Sequence, residues 1–297
     1  MEQDQMFSEA EVTSYLCPTE DKGIFIIEAR QPVSPILWMQ KNKSECEKVL
    51  LKYGGILLRG FDIHSVSEFN KFSQVICPDL LDYTYRSTPR TKLGGKIYTA
   101  TEYPADQYIP LHNENAYADV WPQKIMFFCV IPAKEGGATP VADSRKVLKK
   151  IDKEIIEKFE SKGVLYVRNY SSGVDLSWQE VFQTSEEEEV EKYCLDHSLQ
   201  YFWNSEGPEL TTKQVCQATL VHLTTKEKVW FNQAHLFHVS GLKKEVAQSL
   251  ISEFGEHNLP RNAYYGDGAP MEEDILAHIR EAYEQSSFHA IHRRVSL

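Results

Sequence analysis

The chain has 297 residues, of which 42% are hydrophobic and 25% are charged, as is typical of a globular protein with a large core. This composition excludes a mainly disordered chain and a small scaffold held together by disulfides. The formal net charge of −11 argues against nucleic acid and membrane surfaces as partners, because like charges repel. It is still compatible with a local basic pocket for a small anion.

No segment of the sequence predicts membrane insertion or export. The longest apolar run, at 125–131, stops at Pro132 and is far shorter than the ~20 residues of a membrane-spanning helix. Residues 1–12 are acidic and lack the apolar core of a signal peptide. The six cysteines form no Cys-x-x-Cys pair, which excludes zinc-ribbon and thioredoxin sites. We therefore expect reduced thiols, mostly in the core of a cytoplasmic protein.

The first ninety residues alternate between strand and helix patterns. The run at 23–29 and the run at 56–59 predict strands, because both are rich in branched apolar side chains. The SECE sequence at 44–47 has the spacing of a capping box, which predicts the start of a helix that ends at the glycines 54–55. The SVSE sequence at 65–68 predicts a second helix start in the same way.

After residue 96 the pattern is dominated by strands. Strands are predicted at 96–101, 109–117, 124–131, 164–170, 199–203, 218–223 and 228–233. One amphipathic helix is predicted through 147–159, a serine-capped helix start at the acidic run 185–189, and two helices near 242–254 and 271–284. Consecutive strands without a helix between them disfavour a parallel α/β sheet. The pattern favours a mainly β fold with flanking helices, either a barrel or a jelly roll.

The sharpest candidate for chemistry is His112-Asn113-Glu114. On a strand, residues i and i+2 face the same side, so the imidazole and the carboxylate could bind one metal ion. Two histidines and one carboxylate with open positions are typical of non-haem Fe(II) oxygenases. Spacing alone is weak evidence, and a surface or capping histidine is the alternative. The nearby GGATP segment at 136–140 supports a binding site, because glycines allow close backbone approach and Thr139 offers a hydroxyl to an anion. The alternative for this segment is a simple turn before a helix capped by Ser144.

Five segments together resemble one family: YTATEYP at 98–104, LHNE at 111–114, GGATPVADSR at 136–145, VWFNQAHLFHVSGL at 229–242 and NAYYGDGAP at 262–270. In this order they resemble the TauD/TfdA-like family of Fe(II)/2-oxoglutarate-dependent dioxygenases. The nearest subgroup is similar to the syringomycin-biosynthesis (SyrP-like) and clavaminate synthase-like hydroxylases. The resemblance covers about residues 53–283.

The resemblance implies roles for four residues. His112 and Glu114 correspond to the first two iron ligands, which makes them the catalytic and metal-binding candidates. Thr139 corresponds to the residue that binds the 2-oxoglutarate carboxylate, and Arg293 resembles the arginine that pairs with 2-oxoglutarate. The presence of Glu114, where halogenating relatives leave room for chloride, favours hydroxylation.

Four further polar residues lie in the segment at 229–242. Asn232 and Gln233 belong to a strand that, in such proteins, lies close to the substrate. The alternative is that both are strand-end amides that hydrogen-bond loop backbone. His235 and His238 do not lie in the family's metal strand. We expect them to be packing or substrate-side residues.

The C-terminal segment departs from the family pattern. In the family a hairpin separates the second iron histidine from the arginine, whereas His292 is adjacent to Arg293 and His289 lies only three residues before His292. We expect neither histidine to occupy the usual position of the third ligand. The sequence therefore predicts a jelly roll that is incomplete at its C-terminus, through truncation, a gene-model error or degeneration.

These observations predict one TauD-like domain over 1–297, with an α/β extension at 1–90 and a double-stranded β-helix (jelly roll, cupin-like) core at 91–297. The implied activity is hydroxylation of a small, amino-acid-derived substrate with Fe(II), 2-oxoglutarate and O₂, releasing succinate and CO₂. A homo-oligomer is left open. The alternative is a catalytically impaired, small-molecule-binding homologue of that family.

Overall fold

The N-terminal part of the molecule is a three-stranded sheet with two helices. The structure is a computed structural model that describes residues 11–17, 24–100, 108–135, 137–171, 173–207 and 209–290. The elements are β1 (Val12–Leu16), β2 (Phe25–Ala29), α1 (Pro35–Tyr53), β3 (Ile56–Arg59) and α2 (Val66–Ile76). β1 pairs antiparallel with β2, and β2 pairs parallel with β3. Parallel pairing requires a crossover connection, which α1 supplies.

The caps of these helices correct one prediction and confirm two. α1 begins after Ser34, whose hydroxyl caps the first turn. A proline occupies the first helical position, which is a favoured place for proline. The box at 44–47 therefore lies inside the helix and was wrong as a helix start. The predicted end is confirmed, because Gly54 takes a left-handed φ of 84° that glycine adopts without strain. The second start is also confirmed, since Ser65 Oγ accepts from Glu68 N.

The later strands form a four-stranded sheet and three strand pairs within the described residues. They are β4 (Lys92–Gly94), β5 (Ile97–Tyr98), β6 (Thr139–Ala142), β7 (Val164–Tyr170), β8 (Gln200–Trp203), β9 (Leu210–Cys216), β10 (Thr219–Val221), β11 (Lys228–Trp230), β12 (Arg261–Tyr265) and β13 (Ser287–Ala290). The large sheet is antiparallel throughout, in the order β12-β7-β9-β8. The pairs are β4 with β5, β6 with β13, and β10 with β11. The strands predicted near 96–101, 164–170, 199–203, 218–223 and 228–233 are each present, although some are shorter.

Two predicted strands are wrong. Residues 108–135 carry no helix or strand where they are described. At 109–117 the chain turns at Asn115, whose φ of 55° lies in the left-handed region that asparagine tolerates. At 124–131 Phe128 packs against the N-terminal core while Phe127 is exposed, as in a strand, but no described strand pairs with this segment. Alternate side chains are thus partly buried over 124–128 as in a strand, although the backbone there is not part of a described sheet.

Helices surround the large sheet. They are α3 (Ser144–Lys150), α4 (Lys153–Lys162), α5 (Trp178–Phe182), α6 (Glu187–Asp196), α7 (Ala234–Phe237), α8 (Lys244–Phe254) and α9 (Glu273–Glu284). The single helix predicted through 147–159 is two helices, because Ile151 is extended and Asp152 begins the next helix. The helix at the acidic run is confirmed, but Ser185 does not cap it: the N-cap residue is Glu186, which makes no side-chain capping bond. Likewise Asp143, not Ser144, caps α3.

The fold class expected from the sequence is met in part. The described residues form sheets with flanking helices, but helical residues outnumber strand residues, and no closed barrel forms among them. The mainly β character is therefore not confirmed, because long helices fill the connections between short strands. All six cysteines are unpaired, and four are buried. None of the described helices is long and apolar enough to cross a membrane.

Candidate functional site

The side chains of His112 and Glu114 lie next to each other. His112 Nε2 is 3.6 Å from Glu114 Oε2, and the two side chains are 26% and 19% exposed, so they are sheltered but reachable. The two residues come from the irregular backbone at 108–113 and the turn at 114–117. A turn, and not the predicted strand, therefore brings residues i and i+2 together.

The ring of His112 is held in one tautomer. Nδ1 lies 2.8 Å from Pro110 O, and a carbonyl can only accept, so Nδ1 carries a hydrogen and Nε2 of the neutral ring has a free lone pair. Burial disfavours the charged ring, but the hydrogen bonds with Glu114 and Pro110 outweigh burial and raise the pKa of His112. Metal-binding histidines commonly have their second nitrogen oriented in this way.

Glu114 divides its carboxylate oxygens between two partners. Oε1 accepts a hydrogen bond from Arg90 Nη2 at 3.0 Å, whereas Oε2 faces His112. Burial alone would raise the pKa of Glu114, but the hydrogen bond with His112 and the charge of Arg90 lower it. Glu114 is thus ionised at neutral pH, as a metal-binding carboxylate must be. The sequence reasoning missed Arg90, since no local pattern indicates its contact with Glu114.

Asn113 anchors the turn to three distant segments. Its Nδ2 donates to Ser144 Oγ at 2.9 Å, and its Oδ1 accepts from Tyr283 Oη at 2.6 Å. Its backbone oxygen accepts from Gln233 Nε2. Because Ser144 lies two residues after the end of β6, the first of these bonds joins the segment at 136–145 to the turn. Neither the anchoring role of Asn113 nor that of Tyr283 was expected from the sequence.

The other polar residues at 229–242 serve the backbone around this turn. Asn232 Nδ2 donates to Ala218 O at 2.9 Å, which matches the alternative in which strand-end amides bond loop backbone. His235 donates from Nε2 to Leu111 O at 3.0 Å and stacks on Tyr283. Burial lowers the pKa of His235 to about 4, so its ring is neutral. His235 therefore packs against the segment that carries His112.

The remaining candidates make no described hydrogen bond to His112 or Glu114, or lie outside the described residues. Thr139 is the exposed first residue of β6 and pairs with Ala290; the described residues show no hydrogen bond between Thr139 and either His112 or Glu114. The backbone of His289 pairs with Pro140 in the same strand pair. His292 and Arg293 lie outside the described residues, so their predicted roles stay predictions.

Residues 28–294 match the family model of the taurine catabolism dioxygenase TauD, TfdA family. The chain belongs to this family. The dapdiamide synthesis protein DdaC of Enterobacter agglomerans is 42% identical over 236 residues, which are 80% of this chain and 71% of that protein. A clavaminate synthase-like protein of Arabidopsis thaliana is 31% identical over 248 residues, 80% of this chain and 72% of that protein. The resemblance inferred from the motifs is confirmed.

The TauD/TfdA family implies Fe(II) and 2-oxoglutarate, and the residues of the turn fit part of an iron site. A neutral imidazole nitrogen and an ionised carboxylate are two of the three protein ligands in a 2-His-1-carboxylate site. Among the described residues, no third His, Cys, Asp or Glu joins them in a group that could hold a metal ion. The turn therefore supplies one imidazole and one carboxylate of the three protein donors of such a site.

Two clefts differ in their relation to this turn. One of about 310 Å³ is lined by residues of the 86–91 loop, including Arg90, and of the 176–183 segment. A larger one, of about 390 Å³, is lined by residues such as Leu165, Gln200 and Asp267, and neither His112 nor Glu114 lines either cleft. The smaller cleft is the relevant one for this site, since Arg90 also contacts Glu114.

Proposed function

We propose that the protein is an Fe(II)- and 2-oxoglutarate-dependent oxygenase that hydroxylates a small, amino-acid-derived substrate. The observation that carries this proposal is the 3.6 Å approach of His112 Nε2 to Glu114 Oε2, with the ring fixed through Pro110. Membership of a dioxygenase family supports it. The substrate class rests on the resemblance to SyrP-like and clavaminate synthase-like hydroxylases, and the relative with the dapdiamide synthesis name agrees with it.

The chain's own residues have separate tasks in this proposal. His112 and Glu114 hold the metal, and Thr139 and Arg293 bind the carboxylates of 2-oxoglutarate. The bound metal and 2-oxoglutarate supply O₂-dependent oxidation, in which 2-oxoglutarate ends as succinate and CO₂. In the neutral ring the bond from His112 to Pro110 places the hydrogen on Nδ1 and leaves the lone pair of Nε2 for a metal ion. Arg90 occupies one oxygen of Glu114, and the other oxygen faces His112.

The jelly roll and the domain division are also part of the proposal. The antiparallel sheet around β7 and the β6–β13 pair would be parts of a double-stranded β-helix at 91–297, with the residues up to 90 as an α/β extension. The separate N-terminal core around Phe25 and Trp38 supports that division. A cytoplasmic location and a homo-oligomeric state stay predictions.

Metal titration tests the proposal. Co(II) is bound more tightly than Fe(II) by the same ligands and is stable in air, so we would titrate it into the wild-type protein and Glu114→Ala. Loss of a residue that only supports a ligand typically costs 10–100-fold in metal affinity, so loss of a ligand should weaken Co(II) binding at least about 10-fold. Equal affinities in the two proteins would refute the role of Glu114.

The chain offers a matched control at another carboxylate–histidine pair. Asp62 and His64 are also two residues apart, with Asp62 Oδ1 at 2.6 Å from His64 Nε2, but both side chains are exposed. Asp62→Ala should leave Co(II) affinity unchanged. Succinate formation with Fe(II), ascorbate and 2-oxoglutarate then separates an oxygenase from a homologue that only binds small molecules.

A further inference from the structure

Four arginines form a connected group that includes Arg90, the partner of Glu114, in a chain whose net charge is −11. They are Arg86, Arg90, Arg168 and Arg261. Arg86 Nη1 donates to Arg90 O at 3.0 Å, and Arg261 Nη2 donates to Ser87 O at 3.1 Å. Arg168 belongs to the same group, because it is the register partner of Arg261 in the pairing of β7 with β12. Such a concentration of positive charge is opposite to the charge of the whole molecule.

Arg90 and Arg261 are matched by carboxylates. Arg90 is paired with Glu114, and Arg261 forms a bidentate pair with Asp175. Burial alone would raise the pKa of Asp175, but the charge and hydrogen bonds of Arg261 lower it, so this pair is ionised at neutral pH.

The other two arginines have no carboxylate within ion-pair distance among the described residues. The guanidinium of Arg168 is fully buried between the rings of Tyr85 and Tyr170, each 5.1 Å from its centre. Within the described part of the chain, Arg86 bonds only the backbone of Arg90, and its Nε is buried without a partner.

Arg86 and Arg90 line the cleft of about 310 Å³ between the 86–91 loop and the 176–183 segment, a volume within the range of small-molecule sites. Glu180 is the carboxylate on its wall, and its Oε2 is already bonded to Ser177 N and Oγ in the capping box of α5. Leu176 adds an apolar surface. The cleft therefore offers a guanidinium without an anion, a second guanidinium that also holds Glu114, and room for a small molecule.

We propose that this arginine cleft binds the carboxylate of a small ligand. A guanidinium presents its N–H groups in a planar fork that matches a carboxylate, and Arg86 is the group that lacks such a partner. Because Arg90 contacts both the cleft and Glu114, a carboxylate bound here is held next to the candidate metal ligand. The inference rests on the proposed function where it assigns the ligand as the oxygenase's carboxylate-bearing substrate; 2-oxoglutarate is the other source of the same chemistry.

Arginine side-chain NMR tests the cleft directly. We would label the full chain with ¹⁵N-arginine, assign the Nε–Hε signals of Arg86 and Arg90 from Arg86→Gln and Arg90→Gln, and add N-acetyl-L-alanine without metal. The carboxylate should shift both signals, whereas N-acetyl-L-alaninamide, its neutral analogue, should not. Arg86→Gln should weaken binding about 10-fold or more, since a charge-assisted pair is lost, and Arg86→Lys should restore part of it. Arg30→Gln, at an exposed arginine, should bind as the wild type does.

The outcomes separate the two carboxylate sources and the proposed function. If N-acetyl-L-alanine stays bound when 2-oxoglutarate and Co(II) are added, the cleft takes the substrate. If 2-oxoglutarate displaces the probe, and Arg86→Gln weakens the binding of 2-oxoglutarate as much as that of the probe, the cleft takes the co-substrate. No shift, equal shifts by acid and amide, or equal binding by Arg86→Gln and Arg30→Gln would overturn the inference. Failure of the iron site would appear in the Co(II) titration of Glu114→Ala, whereas the direct titration with N-acetyl-L-alanine contains no metal and still tests the cleft.

Discussion

Removal of the Tyr283 hydroxyl tests whether Asn113 supports the candidate iron site, as distinct from contributing to the stability of the whole protein. The hydroxyl donates to Asn113 Oδ1 at 2.6 Å, and the side chain is buried. Tyr283→Phe removes that oxygen but keeps the ring stacked on His235, so it creates almost no cavity. Asn113 Oδ1 is then left without its donor in a buried place, which costs about 1–2 kcal/mol of unfolding free energy.

The same change should weaken metal binding by a larger factor than a neutral surface change would. Asn113 lies between His112 and Glu114 and keeps its bonds to Ser144 and Gln233 in the variant, so the turn is loosened and not lost. Removal of a group that orients metal ligands costs 10–100-fold, and Tyr283 acts through one intervening residue. We therefore expect about a 10-fold loss of Co(II) affinity, measured by titration, together with a lower urea midpoint.

Tyr265→Phe is the matched control. Tyr265 is equally buried and donates to Glu272 Oε2 at 2.7 Å, but it has no contact with the turn at 112–114 among the described residues. It should lower the urea midpoint and leave Co(II) affinity unchanged. If both variants weakened Co(II) binding equally, or if Tyr283→Phe did not weaken it, the anchoring role of Asn113 would be refuted.

Two further predictions concern stability. Asp175→Asn should destabilise the protein by about 1.5–3 kcal/mol at pH 7, because it removes the charge that Arg261 pairs with. The folded-state pKa of Asp175 is lowered. The wild type therefore keeps this stabilisation above the ordinary carboxyl pKa of about 4 and loses it as the pH falls through the lower folded value. If the urea midpoints of the wild type and Asp175→Asn differed as much at pH 3 as at pH 7, this reasoning would be contradicted. Gly60→Ala should destabilise the protein by more than Gly54→Ala in the same urea assay. Both positions have positive φ, but only at Gly60 would the added Cβ meet a backbone oxygen, that of Ala29. Equal losses would show that φ strain alone decides the effect.

The residues of the site could be predicted further than the backbone that holds them. The family motif led to His112 and Glu114, and the two side chains do lie together, but the predicted strand is a turn. The strand argument failed because Asn115 takes a left-handed conformation, for which the alternation of apolar residues gives no signal. Local patterns succeeded where the determinants are local, as at the cap of Ser65 and the left-handed Gly54.

Contacts between distant segments were beyond the sequence reasoning. Arg90 pairs with Glu114 across 24 residues, and Tyr283 reaches Asn113 across 170, separations that no periodicity encodes. The break between α3 and α4 was missed for a related reason, because the apolar stripe through 147–159 continues across it and both helices pack on the same core. Burial was predicted correctly there, and the path of the backbone was not.

The three bonds of Asn113 also bear on the order in which the molecule folds. They join Asn113 to partners that lie 31, 120 and 170 positions further along the chain. The hairpin of β8 and β9, in contrast, joins neighbouring segments. Closing long loops costs more entropy and is slower than local pairing. We expect pulsed hydrogen exchange during refolding to protect the amides of β8 and β9 before those of residues 116 and 118, whose N–H groups close the turn; simultaneous protection would contradict this order. A nascent chain would then bring the two candidate iron ligands into their final geometry only after α9 has been synthesised, so that metal binding at this turn would be a late event in maturation.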